Sequence, residues 1–72
     1  MSTTVDARGL SCPQPVLMTL DEIKKLDQGE IVVLVDTDTS KENVSRAATS
    51  KGWGVKDVQK EGEGYRVTLE RG

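Results

Sequence analysis

Residues Ile31-Val32-Val33-Leu34-Val35 form an unbroken apolar run in a chain of 72 residues, 31% of them charged. Five apolar residues in a row, with turn residues on both sides, are what a central strand covered on its faces looks like. Ahead of the run, apolar residues recur at helical spacing from Pro13 to about Leu26. Val16, Leu20 and Ile23 fall on one stripe, Leu17 and Leu26 flank it, and Met18, Asp21, Glu22 and Lys25 fall on the outer face. Gln28-Gly29 ends that helix. Thr4-Val5-Asp6 reads as a short strand before it. A strand, a helix and a strand in that order make a parallel crossover, and this fixes the first half of the fold.

The second half is punctuated as clearly. Thr39-Ser40-Lys41-Glu42 fits a capping box, with Thr39 as N-cap and Glu42 reaching back. Val44, Ala47 and Ala48 then give a narrow apolar stripe, and Gly52 stops the helix. Trp53, Val55 and Val58 mark a third strand whose parity slips around Lys56-Asp57, the signature of a bulge. Glu61-Gly62-Glu63-Gly64 turns the chain. Tyr65, Val67 and Leu69 then alternate with Arg66, Thr68 and Glu70, as in a strand buried on one face. The expected fold is α/β, an α+β two-layer sandwich of order βαβαββ with two helices on one face of a four-stranded mixed sheet. No linker or repeat interrupts it, so residues 1–72 are expected to form a single domain.

The feature that this fold does not explain is Ser11-Cys12-Pro13-Gln14-Pro15. Proline is tolerated in a first helical turn because its missing N–H would have no intrahelical acceptor there. Cys12 therefore falls at or next to the N-cap of the first helix, where orphan amides and the helix dipole favour a thiolate. An unperturbed thiol, with a pKa of roughly 8.5, is only about 3% ionised at pH 7. Two readings stand: a buried inert hydrophobe and a reactive thiol. The position favours the second, because Ser, Asp or Thr would cap the helix better than Cys. Arg8 either stabilises an anion on Cys12 or pairs with Asp6. Met18, read as exposed, suits docking to partners. Asp36-Thr37-Asp38 reads as a turn before the second helix and not as a cation site.

Composition removes whole classes of function. The chain has one cysteine and no histidine, so Cys-His catalysis, Ser-His-Asp triads and Cys-x-x-Cys redox pairs are absent, and no metal or cofactor site is expected. Ten basic against twelve acidic residues, with no Phe, one Trp and one Tyr, argue against direct nucleic-acid binding. The absence of a long apolar run or an apolar signal region leads to the expectation of a cytoplasmic protein without a membrane partner. At this size function belongs on the surface and not in an enclosed pocket.

The stretch Asp6-Ala7-Arg8-Gly9-Leu10-Ser11-Cys12-Pro13-Gln14-Pro15 resembles the signature of the TusA/SirA/YedF sulfur-carrier family, whose hallmark is Cys-Pro-x-Pro at the start of the first helix. The resemblance implies a βαβαββ sandwich and a persulfide-forming nucleophile at Cys12. It implies that Pro13 and Pro15 shape the helix start, and that Asp6, Arg8 and Gly9 set the loop before it. Implied partners are a cysteine desulfurase or rhodanese-type sulfur donor and a sulfur acceptor protein, with no cofactor. Val35–Val44 is similar to the YedF-type branch, some members of which carry a second C-terminal domain or are associated with selenium. The alternative is a regulatory or interaction module in which Cys12 is a redox sensor or idle. RNA binding, suggested only by likeness of fold to a translation initiation factor domain, ranks last.

Overall fold

The apolar run becomes the second strand of a four-stranded sheet. The computed structural model describes residues 2–10, 14–26 and 28–71. Its elements are β1 (Ser2–Asp6), α1 (Gln14–Lys25), β2 (Gly29–Val35), α2 (Asp38–Ser50), β3 (Gly54–Glu61) and β4 (Gly64–Arg71). The strand order is β1-β2-β4-β3. β1 lies parallel to β2, and β4 is antiparallel to both β2 and β3. This is the mixed sheet expected from the element order.

One parity of the strands makes the core. Val5, Ile31, Val33, Val35, Val67 and Leu69 are buried in one cluster with Ile23 of α1 and Val44 and Ala48 of α2. The helices also pack against each other. On the opposite face Val32, between Thr4 and Thr68 in register, is nearly buried as well, as befits a strand flanked on both sides. β3 is exposed along its whole length. Its register shifts between Val55 and Asp57, so the slip read from the sequence is a bulge at Lys56. The hairpin leaves Gly62 and Glu63 as its two loop residues, with Gly62 at φ +61, the glycine position of a II′ turn. Gly64 is fixed by contact: a Cβ there would run into the carbonyl of Val35.

Four expectations need correction. The buried residues of α1 are Pro15, Thr19 and Ile23; of the expected stripe Ile23 is among them, while Val16 and Leu20 are only partly buried against the core. Thr19 is admitted to the core because its hydroxyl donates to the Pro15 carbonyl at 2.8 Å, leaving no unpaired polar atom. Leu17 is exposed, at 53%, and Met18 packs against the core, so Met18 is not an outer-face residue. The cap of α2 is Thr37, not Thr39. Its side chain accepts from the Ser40 amide at 3.0 Å. Ser40 is buried, and a helix capped at Thr39 would leave that amide without an acceptor. Trp53 precedes β3 instead of opening it. Its N–H donates to Ala48 O at 3.0 Å and that of Gly52 to Thr49 O at 3.1 Å, with Gly52 at φ +85. This is a Schellman closure of α2, and it buries Trp53 beside Ala48 in the core. Finally, Gly29, read with Gln28 as the end of the first helix, is already the first residue of β2, and α1 ends at Lys25.

Candidate functional site

Parallel pairing brings the C-terminal ends of β1 and β2 out of the sheet side by side, with Asp6 opposite Leu34. The end of parallel strands is where α/β folds place their chemistry, because two chain exits diverge there and leave backbone groups free. Ala7 prolongs the ladder by one bond, its N–H donating to Leu34 O at 2.9 Å, and its side chain is fully buried. The chain then turns away towards α1, and the next two amides leave the sheet.

Both are taken by carboxylates. The Arg8 amide donates to Asp6 Oδ1 at 3.2 Å, and the Gly9 amide donates to Asp36 Oδ2 at 2.7 Å. Asp36 is the first residue past β2. Gly9 sits at φ +78, a left-handed conformation that favours glycine. The Leu10 amide closes back on Ala7 O at 3.4 Å. Residues Ala7–Leu10 are therefore a compact turn fastened to the ends of both parallel strands.

Arg8 meets Asp6 with its side chain as well, Nε donating to Oδ1 and a terminal nitrogen to Oδ2, each at 3.0 Å. That fork, and next to it the Arg8 amide, holds the Asp6 carboxyl down to about 2. The guanidinium is held protonated by the same pair, with weaker attraction from Glu61 and Asp36. Of the two readings of Arg8, one involves Cys12, which lies outside the described residues; the other, the pair with Asp6, is present. Both partners are more than half exposed, so the pair shapes the loop more than it stabilises the fold.

The expected site residues fall into three groups. Asp6, Arg8 and Gly9 are brought together as one turn. Pro15 is the second residue of α1, and its side chain is fully buried, so it anchors that end of the helix in the core. Cys12 and Pro13 lie outside the described residues. Met18 lines a shallow groove of about 250 Å³ between β1 and the Asp21-Glu22 face of α1, which places it beside the same strand that feeds the turn. Asp36 was missed. The turn read over Asp36-Thr37-Asp38 is shorter than expected, since Thr37 caps α2 and Asp38 is its first residue, and the Asp36 carboxylate reaches back to Gly9. The available signal was the parallel crossover itself, which sets the residue after β2 next to the residues after β1.

None of the described helices is long and apolar enough to cross a membrane. The sequence profile of the family described as Sulfurtransferase TusA matches residues 3–71. A protein of Aquifex aeolicus is 43% identical over 35 residues, 49% of this chain. One from Escherichia coli K12, named "Putative sulfur carrier protein YedF", is 32% identical over 93% of this chain and 88% of its own length. The chain spans only 18% of the Aquifex relative, and 26% of a second curated relative from Methanocaldococcus jannaschii. Among solved structures, a SirA-like protein from Desulfitobacterium hafniense superposes with a TM-score of 0.89 at 32% identity, covering 97% of each chain.

Proposed function

Since the chain belongs to the TusA sulfurtransferase family, we propose that it carries sulfur as a persulfide on Cys12, receiving it from one protein and delivering it to another. The observation that supports this most is the fastened turn Ala7–Leu10. It holds the backbone from which the next three residues, Ser11, Cys12 and Pro13, lead in sequence to α1, which begins at Gln14. A thiol at such a start meets orphan N–H groups and the positive end of a 12-residue helix. Both favour the thiolate before transfer and the persulfide anion after it.

The chemistry then needs no further catalyst from this chain. The Cys12 thiolate attacks the terminal sulfur of a donor persulfide. A new S–S bond forms at Cys12, the donor's S–S bond breaks, and the donor leaves as its own thiolate. An acceptor thiolate repeats the exchange at the Cys12 persulfide and restores the starting thiolate. No net oxidation occurs in either step, which suits a chain with a single cysteine and no histidine. The donor is a cysteine desulfurase or a rhodanese-type enzyme, and the fold's exposed turn and shallow groove leave the contact to be made on the surface. The carrier works in the cytoplasm, where such thiols stay reduced.

The test is intact-mass analysis after incubation with a cysteine desulfurase and cysteine. One added sulfur atom is expected on the wild type, removed by reductant and absent from Cys12→Ser. That variant keeps its fold, because serine is at least as good a cap at a helix start. No adduct from any sulfur donor, with reversible sulfenic acid under mild peroxide, would support the redox-sensor reading instead.

A further inference from the structure

Asp36 is exposed, contributes nothing to the core, and lies 27 residues from the turn it holds. We infer that it is a positioning residue for the reaction at Cys12, acting through the amide of Gly9. This inference rests on the persulfide reading for its purpose, though not for its geometry.

The bonds of the turn are not equivalent. Those between Arg8 and Asp6 join residues two apart, and Leu10 bonds to Ala7 three residues back. Such local bonds move with the turn if it swings. Ala7 is fastened to β2 through Leu34, but it precedes the bend. Beyond Ala7, the Gly9–Asp36 bond is the one that ties the turn to the rest of the fold among the described residues. At 2.7 Å to a carboxylate it is short for an N–H···O contact. Cys12 comes three positions after Gly9 in the sequence, so a turn released at Gly9 frees the backbone that leads to Cys12 and on to α1. Such freedom matters in group transfer, where alignment of the reacting atoms carries much of the rate.

A bare charge effect would act in the opposite direction. By electrostatics alone, removing a carboxylate from the neighbourhood of a thiol would lower the thiol's pKa. Positioning predicts the reverse for a residue that cannot accept a hydrogen bond. The experiment compares wild type, Asp36→Ala and Asp36→Asn. Asn keeps an oxygen at the same reach but has no charge. Iodoacetamide alkylation of Cys12 is followed across pH, alongside sulfur uptake from a persulfide-loaded cysteine desulfurase and the thermal midpoint.

In Asp36→Ala the alkylation midpoint is expected to rise towards the free-thiol value of about 8.5, and uptake to slow by about tenfold. Asp36→Asn is expected to restore both nearly to wild type, with the thermal midpoint of each variant unchanged. A downward shift of the midpoint in Asp36→Ala, equal losses in both variants, or wild-type behaviour in Asp36→Ala overturns the inference. If the wild type itself takes up no sulfur, the persulfide reading fails, while the alkylation profiles still decide whether Asp36 positions Cys12.

Discussion

α2 starts with Thr37, whose side chain accepts from the Ser40 amide, and has Asp38 in its first turn; α1 starts with Gln14 and Pro15 and has no acid in its first turn. At α2 the orphan amides and the positive dipole end are met by side chains of the helix itself. Asp38 is held ionised there, first by the Tyr65 hydroxyl and then by Lys41. Lys41 in turn places its ammonium 4.6 Å from the centre of the Tyr65 ring. That helix start is closed to other anions. At α1 the nearby carboxylates, Asp6 and Asp36, are turned onto Arg8 and the loop amides. The residues in front of the helix are Ser11, Cys12 and Pro13. The α2 start is met by its own side chains, whereas among the described residues the carboxylates before α1 are turned elsewhere, which suits the thiolate proposed at Cys12.

The two ends of α2 should therefore cost stability when broken and leave the thiol chemistry of each folded molecule unchanged. Trp53→Ala, at the closing end, removes a side chain that is 2% exposed and should destabilise by about 3–5 kcal/mol, read by denaturant unfolding. Trp53→Phe should cost much less. The indole nitrogen has no hydrogen-bond partner among the described residues, so no bond is lost with it. Thr37→Ala, at the opening end, should cost about 1 kcal/mol. If either substitution changed the alkylation rate of Cys12 in folded protein, the division between the two helix starts would be broken.

The smallest effect belongs to acid. Asp6 has its carboxyl lowered to about 2 from an ordinary value of 3.8. The stabilisation from its pairing with Arg8 is present above the ordinary value and is lost as pH falls through about 2. Because the pair is exposed, global unfolding should respond little in that window. Amide signals of Arg8 and Gly9, followed by NMR from pH 5 to pH 2, should move before the core signals do. If the core amides moved first, the turn would be part of the cooperative core and not a fastened appendage.

The fold was legible because each of its decisive signals had one physical meaning. Ile31–Val35 had to be a covered strand, Gly52 had to end a helix, and the parity slip at Lys56 had to be a bulge. The errors came where two meanings competed. Thr37 and Thr39 both offered a hydroxyl three residues ahead of an amide, and only the burial of Ser40 decided between them. Pro15 and Thr19 looked like punctuation and a polar residue, yet their mutual hydrogen bond makes them core, while Val16 and Leu20 are only partly buried. At the site, Asp6, Arg8 and Gly9 were visible because they stand with Cys12 in the ten-residue stretch that resembles the family signature. Asp36 was hidden because its partner lies across the sheet, and only the register of two parallel strands brings it there.

The most direct test of the thiolate proposed at Cys12 is the rate of its alkylation by iodoacetamide in the folded wild-type protein, measured against pH. The account predicts rapid reaction and an apparent pKa well below the free-thiol value of about 8.5. A midpoint at or above that value, or protection from the reagent until the protein unfolds, would contradict it and make Cys12 a structural residue.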